Sequence, residues 1–265
     1  MLRIGVTGAA GRMGRRVAAL AIESERSDVA AAMEVAGHEA LGRDVGELAG
    51  VGTFGVRVTG DLPDEAEIDV LVDFSLPEGT MKFLPVCRKR RIAVVTGTTG
   101  LTASQQAEVA DTAREVPIVQ APNFSVGINV LLKVVALVAG TLGEDYDVDV
   151  EETHHRFKKD APSGTAIALA RSVCAALGKD YGDVAVLGRG GVCPRKEGEI
   201  GMHALRVGDT VGEHTVHFGS LGETVHVGHS AHTRDTFVRG AFRAAEWVAD
   251  RQPGLYDMQD VLGLR

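Results

Sequence analysis

The first 125 residues alternate short apolar runs with amphipathic, helix-type segments. Five runs have the length and β-branched content of buried strands; they cover residues 2–7, 29–33, 68–74, 92–96 and 118–120. Between the last two runs, Thr102 and Gln105 have the spacing of a capping box ahead of a helix at 103–114. Strands that alternate with helices are typical of a parallel sheet covered by helices. The sequence therefore predicts an α/β, Rossmann-like domain at this end of the chain.

The pattern changes after residue 125. Residues 129–142 are almost all apolar and predict a buried helix. Strand-type runs at 147–153, 204–207, 214–219 and 223–230 then follow with one long helix, at 166–177. This clustering predicts a smaller α+β domain with a mixed or antiparallel sheet. The stretch 187–201 is rich in glycine and predicts a mobile loop, and 236–250 and 257–262 are again helical.

A glycine turn follows the first strand and leads into a helix. The turn consists of Gly8, Ala9, Ala10, Gly11, Arg12, Met13 and Gly14. Strand, glycine turn and helix in this order allow a pyrophosphate to approach the backbone at a helix N-terminus. The second strand ends at Glu34, an acid suited to accept hydrogen bonds from ribose hydroxyls. The spacing departs from the commoner G-x-G-x-x-G, so a glycine turn that binds no ligand is the alternative interpretation.

Two later loops are expected at the same edge of the sheet. Gly97, Thr98 and Thr99 follow the fourth strand, and Ala121, Pro122, Asn123 and Phe124 follow the fifth. Ligands of open parallel sheets bind beyond the carboxyl ends of the strands. We therefore expect both loops to contact the nicotinamide half of a dinucleotide, although each taken singly is also compatible with a plain turn.

The segment 151–166 concentrates the candidate chemistry of the second domain. His154 and His155 lie a few residues before Lys158 and Lys159, and Ser163 directly precedes a helix as a plausible N-cap. The first turn of that helix would present backbone N–H groups to an anion. Proton donors, cations and an anion site in one segment suit a carboxylate substrate that must take up a proton. A solvated basic loop leading into an ordinary capped helix is the alternative.

Composition excludes several classes of function. The formal charge of −8 argues against a nucleic-acid partner, since such binding usually needs a basic patch. The three cysteines give no disulfide framework or metal-ligand spacing, and Cys87 and Cys174 are expected in the core. We see no signal peptide and no run of about 18 apolar residues, so the sequence predicts a cytoplasmic protein with no membrane partner.

Three histidines near the end of the second domain raise the question of a metal. His226, His229 and His232 are closely spaced. On a strand, however, positions 226 and 229 point to opposite faces, so they cannot easily share one ion. We therefore predict no metal site. Arg234 remains a possible second partner for a carboxylate.

Taken together, these motifs resemble the dihydrodipicolinate reductase family over essentially the whole chain. The resemblance is carried by residues 8–14, 97–100, 123–127, 154–165, 212–215 and 255–258. Of these, the segment 154–165 is the most specific. The resemblance implies a dinucleotide-binding domain of residues 1–125 and 236–265, and a substrate-binding and oligomerisation domain of residues 126–235. It also implies a homotetramer, for which the sequence itself offers only the alternation of Val216, Phe218, Val225 and Val227, as if facing another apolar layer.

The family reaction implied is the reduction of 4-hydroxy-tetrahydrodipicolinate to tetrahydrodipicolinate, with loss of water, in lysine and diaminopimelate biosynthesis. His154 matches the position of the general acid/base, and Lys158 that of the proton donor. His155 matches a substrate contact. Gly164 and Thr165, behind Ser163, match the groups that hold one carboxylate of this small dicarboxylate.

The choice between NADH and NADPH is predicted from the residue after Glu34. Many relatives place an arginine there to pair with the 2′-phosphate of NADPH, whereas this chain has Val35. Since Glu34 would repel a phosphate, we expect NADH to serve at least as well as NADPH. Arg12, Arg15 or Arg16 could restore dual use.

Two other functions fit parts of the pattern. A semialdehyde dehydrogenase would need a nucleophilic cysteine beside a base, and no cysteine has a histidine as a near neighbour in the sequence. A dinucleotide-sensing module without catalysis would not need both His154 and Lys158.

Overall fold

The computed structural model describes all residues from 1 to 265, and the chain divides into two compact units. Unit 1 comprises Met1–Ser125 with Asp235–Gly263, and unit 2 comprises Val126–Arg234. Each unit has its own sheet and its own buried apolar core.

Unit 1 is built on a seven-stranded parallel sheet. Its strands are β1 (Leu2–Thr7), β2 (Ser27–Met33), β3 (Val58–Thr59), β4 (Val70–Asp73), β5 (Ala93–Thr96), β6 (Pro117–Gln120) and, at the far end of the chain, β12 (Gly254–Tyr256). Its helices are α1 (Arg12–Ile22), α2 (Val45–Ala49), α3 (Pro77–Arg90), α4 (Ala103–Thr112), α8 (Asp235–Val248) and α9 (Met258–Leu262). The strand order is β12-β6-β5-β4-β1-β2-β3. Apolar clusters cover both faces of the sheet, which explains why its strands read as continuous hydrophobic runs.

Unit 2 is built on a five-stranded mixed sheet. Its strands are β7 (Asp147–His154), β8 (Ala185–Leu187), β9 (Ile200–Arg206), β10 (Gly212–Gly219) and β11 (Thr224–Ala231), in the order β11-β10-β7-β9-β8. Its helices are α5 (Val126–Leu142), α6 (Gly164–Leu177) and the short α7 (Tyr181–Val184). Strands β11, β10 and β7 pair antiparallel, whereas β7, β9 and β8 pair parallel. The predicted fold class, a Rossmann-like domain with a smaller mixed-sheet domain, is confirmed.

Local signals place several elements correctly. Thr102 and Gln105 form the expected capping box at the start of α4, and Ser163 caps α6 by accepting a hydrogen bond from the Ala166 N–H at 3.2 Å. The two- and three-residue strands β3, β8 and β12 were not predicted. They are too short to show a period of two, and only their pairing with longer neighbours defines them.

The apolar alternation in unit 2 is explained within the unit itself. Val216 and Phe218 are fully buried, and Val225 and Val227 are half-buried. All four pack in the unit 2 core together with residues of α5 and α6. The apolar layer that they face therefore lies within the same unit, and their alternation gives no support for an oligomer.

The apolar helix α5 bears on the question of a membrane span. The stretch Val126–Asp145 has a mean hydropathy of 1.9 and is long and apolar enough to cross a membrane by length and composition alone. Its buried side includes Ile128, Leu131 and Val135 in the unit 2 core. Core helices of proteins that never enter a membrane pass the same test, so this finding is weak support for a membrane span.

Candidate functional site

The glycine turn of unit 1 is shaped by two close backbone approaches. Gly8 has a φ of +67°, and a Cβ there would lie 2.7 Å from the Phe74 carbonyl oxygen. A Cβ at Gly14 would lie 2.1 Å from the Gly8 carbonyl oxygen. Side chains are therefore excluded where α1 packs against the turn. Gly11 precedes α1 and offers no side-chain cap, so the first turn of α1 can present its N–H groups to an anion.

A cavity of about 660 Å³ opens beside this turn. It is lined by the predicted cofactor residues Gly8, Ala10, Gly11 and Glu34. Glu34 accepts hydrogen bonds from the N–H groups of Ala10 and Val35, both at 2.9 Å. These contacts hold its carboxylate at the mouth of the turn. The volume and the glycine-lined wall fit the adenosine and pyrophosphate parts of a dinucleotide.

The other predicted cofactor residues lie around this cavity or along the same edge of the sheet. Ala9 is buried, Arg12 is exposed and Met13 is half-buried within the turn and α1. Gly97, Thr98 and Thr99 directly follow β5, and Ala121, Pro122, Asn123 and Phe124 directly follow β6. The lining residues that the sequence does not single out include His38, Phe74, Ser75 and Lys82. No periodicity marks them, because they come together only through the strand order.

Arg16, one of the candidates for binding a 2′-phosphate, forms an ion pair with Asp235 instead. Its guanidinium donates two hydrogen bonds to Asp235, at 2.8 and 2.7 Å, and this pairing lowers the pKa of Asp235. Arg15 instead donates to the Ala10 carbonyl oxygen at 2.8 Å, at the glycine turn. Of the two arginines, Arg15 is therefore the one placed near Glu34.

In unit 2, the central feature is a buried carboxylate at the end of β7. Glu152 and His154 are two residues apart on one strand and therefore share a face. Glu152 Oε2 lies 2.5 Å from His154 Nδ1. Arg206, at the end of β9, donates to both oxygens of Glu152 at 2.9 Å, and the Ser163 N–H donates to Oε1 at 3.0 Å. Four donors thus satisfy a carboxylate that is 1% exposed.

This arrangement sets the protonation of both partners. Burial disfavours the charged form of Glu152, but hydrogen bonds from Arg206, His154 and Ser163 hold its pKa below the usual value. Burial lowers the pKa of His154, an effect that Glu152 opposes and that Lys158 and Arg206 reinforce. Because a carboxylate only accepts, His154 Nδ1 carries a proton, and Nε2 is the ring atom left for proton exchange.

The helix start behind Ser163 is supported by a second histidine. The Ser163 hydroxyl lies 3.2 Å from Nε2 of His214, which is on β10 and only 4% exposed. Burial and the nearby His154 lower the pKa of His214 to about 4. His214 is therefore neutral at physiological pH and can accept the Ser163 O–H while Ser163 caps α6. Gly164 and Thr165 form the first turn of α6, where an anion would be bound.

Lys158 and His155 belong to the loop between β7 and α6. Lys158 Nζ contacts both carboxylate oxygens of Asp160, at 2.8 and 2.9 Å, and its positive charge contributes to the lowered pKa of His154. Arg206 donates to the Asp160 carbonyl oxygen at 2.6 Å, which anchors the loop to Glu152. His155 Nδ1 is buried with no hydrogen-bond partner. The structure thus brings together His154, Lys158 and Ser163 around Glu152, a residue that sequence reasoning did not select.

Two of the three closely spaced histidines lie on β11, each beside a histidine of β10. His226 contacts His217 across the β10–β11 pair, Nδ1 to Nδ1 at 2.8 Å, whereas His229 pairs in register with His214. No group of three or more His, Cys, Asp or Glu side chains is placed to hold one ion. Arg234 lies in the short segment that connects β11 to α8 along the chain.

Two of the three cysteines lack the features of a nucleophile. Cys87 and Cys174 are buried in the two cores, as expected, and Cys193 is exposed. Burial raises the pKa of Cys87 to about 12, and it also raises that of Cys174. A thiolate at these two positions is therefore disfavoured.

Unit 1 has the parallel sheet and glycine turn of a dinucleotide-binding domain, and unit 2 has a cluster of His154, Glu152 and Lys158. These features place the chain in the class of dinucleotide-dependent oxidoreductases. Comparison with known proteins narrows this class. Residues 2–124 match the N-terminal part, and residues 127–262 the C-terminal part, of dihydrodipicolinate reductase. The chain therefore belongs to the dihydrodipicolinate reductase family, and unit 1 carries its pyridine-nucleotide-binding domain.

Individual relatives agree with this assignment. The 4-hydroxy-tetrahydrodipicolinate reductase of Geotalea uraniireducens (strain Rf4) is 50% identical over 267 residues, covering all of both chains. The enzyme of the same name from Hahella chejuensis (strain KCTC 2396) is 46% identical over the same length. Among solved structures, the dipicolinate-bound dihydrodipicolinate reductase from Paenisporosarcina sp. TG-14 has a TM-score of 0.77 and 22% identity, covering 98% of each chain. That last similarity shows a common fold.

Proposed function

We propose that this chain reduces 4-hydroxy-tetrahydrodipicolinate to tetrahydrodipicolinate with loss of water, as part of lysine and diaminopimelate biosynthesis. Family membership supports the reaction. The observation that carries its chemistry is the buried Glu152, which fixes the His154 ring next to the capped start of α6. In sum, substrate, reduced cofactor and one proton give product, water and oxidised cofactor.

The residues of unit 1 fit a pyridine nucleotide. Gly8 and Gly11 leave the backbone open to a pyrophosphate, and Glu34 lines the cavity beside them. When bound, the reduced nicotinamide supplies the hydride. Glu34 suits the unmodified ribose of NADH, because its carboxylate is already held by two N–H groups and would repel a 2′-phosphate. We therefore expect NADH to serve at least as well as NADPH.

The first turn of α6 is the proposed site for one substrate carboxylate. Gly164 and Thr165 lie at a helix N-terminus, whose dipole favours an anion. Ser163 holds this turn in place through its cap and through Glu152. His155 lies in the same loop as Lys158, and the family resemblance assigns it to a substrate contact.

Proton transfer is assigned to His154 and Lys158. Loss of water removes the 4-hydroxyl together with a ring proton, so this step takes up no net proton. Delivery of hydride to the resulting conjugated ring leaves negative charge that one proton must neutralise. His154 exchanges its proton at Nε2, because Glu152 holds Nδ1. Lys158 carries three N–H donors, and Asp160 steadies its ammonium group.

Oligomeric state, compartment and partners follow from the same family resemblance and from the composition. We infer a cytoplasmic homotetramer that acts on a small dicarboxylate and binds neither nucleic acid nor membrane. The tetramer follows from the family resemblance, and a monomer in sedimentation at micromolar concentration would contradict it.

A turnover assay tests the proposed reaction. The purified chain is mixed with enzymatically generated 4-hydroxy-tetrahydrodipicolinate and NADH, and the reduced-nicotinamide absorbance is followed. Replacing Lys158 or His154 with alanine should lower kcat by about 10²- to 10⁴-fold, with affinity for NADH nearly unchanged. Retention of more than about a tenth of turnover by Lys158→Ala would contradict its assignment as proton donor.

A further inference from the structure

A second buried carboxylate lies at the carboxyl edge of the unit 1 sheet. Asp73 is the last residue of β4 and is 1% exposed. In register beside it are Thr7, the last residue of β1, and Thr96, the last residue of β5. Three strands therefore end side by side on one carboxylate.

Asp73 accepts six hydrogen bonds from these and neighbouring residues. Oδ1 accepts from the Thr7 hydroxyl at 2.6 Å and from the Ser75 hydroxyl and N–H at 2.6 and 3.1 Å. Oδ2 accepts from the hydroxyls of Thr80, Thr96 and Thr98 at 2.6, 2.9 and 3.1 Å. All six donors are neutral, so the carboxylate is stabilised by dipoles alone.

The donors belong to the loops that surround the proposed cofactor site. Thr7 directly precedes the glycine turn, Ser75 lines the 660 Å³ cavity, and Thr98 lies in the loop after β5. Since a carboxylate cannot donate, each hydroxyl must direct its proton toward Asp73. The oxygens of Ser75 and Thr98 are thereby left as acceptors. Ribose hydroxyls and a carboxamide N–H are the groups of a pyridine nucleotide that such acceptors bind.

We propose that Asp73 is a positioning residue that aligns the loops after β1, β4 and β5 and fixes their hydroxyls as acceptors for the nicotinamide half of the cofactor. This inference rests on the proposed cofactor. Asp73 acts through Ser75 and Thr98, whereas the adenosine half depends on Glu34, which follows β2 on the other side of β1. The two halves of the cofactor should therefore respond differently to changes at Asp73.

The test is the binding of NADH and of AMP to the protein without substrate. Asp73→Asn nearly preserves the volume of the side chain but replaces one carboxylate oxygen by an N–H₂ group. The hydroxyls that face this N–H₂ group must then accept hydrogen bonds from it, where in the wild type they donate. We expect NADH to bind about tenfold more weakly, the value of a net hydrogen bond or slightly more, with AMP affinity within about twofold of wild type. Asp69→Asn is the matched control. Asp69 lies at the opposite end of β4 and pairs with Arg3, so it should affect stability but not the affinity for NADH.

Thr98→Val provides a second variant should Asp73→Asn not fold. It removes one hydroxyl with little change of shape and should weaken NADH but not AMP. Equal weakening of both ligands, or unchanged NADH affinity in the folded variants, would overturn the role of Asp73. Failure of the wild-type protein to bind NADH would instead overturn the proposed cofactor.

Discussion

The substitution Glu152→Gln removes the buried carboxylate while keeping its shape. Each oxygen of Glu152 accepts from two donors: His154 and Arg206 on Oε2, and Ser163 and Arg206 on Oε1. An amide nitrogen at either position faces two donors. The Arg206 guanidinium and the Ser163 backbone N–H stay protonated and can only donate. His154 alone can become an acceptor at Nδ1, by carrying its proton on Nε2 instead. The glutamine amide is therefore expected to face His154 and to select the wrong tautomer.

Two magnitudes follow from this geometry. Loss of a correctly oriented general acid should lower kcat by about 10²- to 10⁴-fold. Removing one partner of a buried ion pair costs about 3–5 kcal/mol. The lower end of that range is expected, because Arg206 is 20% exposed and keeps its bonds to the Asp160 and Leu205 carbonyl oxygens.

The assay is kcat as a function of pH, with denaturant unfolding in parallel. Glu152 raises the pKa of His154 against the effect of burial, so its loss lowers that pKa further. If the protonated His154 is the acid, the fall in rate at high pH should begin at a lower pH in Glu152→Gln. The neighbouring Glu151→Gln is the control, since Glu151 is exposed on the opposite face of β7. A Glu152→Gln variant that keeps more than about a tenth of kcat, with an unshifted profile, would refute the assignment.

Three further predictions concern the cap, the cofactor and the buried histidine. Ser163→Ala should cost roughly 1 kcal/mol of unfolding free energy and raise KM for substrate more than it lowers kcat; an unchanged KM and Tm would exclude both roles. Because of Glu34, kcat/KM for NADH should equal or exceed kcat/KM for NADPH at one salt concentration. An advantage of about tenfold for NADPH would contradict this and implicate Arg15 in binding the 2′-phosphate, which Arg15→Ala would test. His214 has a folded pKa of about 4 against 6.5, so the unfolded chain takes up the proton first and stability falls as pH drops through this interval. Between pH 7.5 and pH 5, His214 should lower the free energy of unfolding by about 2 kcal/mol, and His214→Gln should remove this loss. An unfolding free energy with the same pH dependence in the variant would show that His214 is not the cause.

The sequence predicts the elements better than it predicts the site around them. Period and length are enough to locate α4, α5 and α6, and the glycine spacing locates the turn before α1. Ser163 is visible as a cap because capping is local. Glu152 could have been found, since it shares the strand face of His154 at a spacing of two.

Other site residues carry no local signal. Arg206 and His214 reach Glu152 and Ser163 from strands β9 and β10, which are more than 40 residues away along the chain and are joined to β7 only by sheet pairing. Asp73 is recognisable in the sequence only as the polar end of a buried strand. Its six donors come from three separate segments, at residues 7, 75–80 and 96–98. The alternation of Val216 and Phe218 shows the opposite problem, because a period of two reveals a buried face but not which element covers it.

The proposed reaction of this chain is the transfer of hydride from a reduced nicotinamide to 4-hydroxy-tetrahydrodipicolinate. Its most direct test uses NADH deuterated at the transferable position of C4, with enzymatically generated substrate and product analysis by mass spectrometry. We expect loss of reduced-nicotinamide absorbance together with formation of tetrahydrodipicolinate that carries one deuterium. In Lys158→Ala both the rate of absorbance loss and the yield of deuterated product should be strongly reduced. Oxidation of the cofactor without deuterium in the product, or no consumption of NADH or NADPH with this substrate, would contradict it.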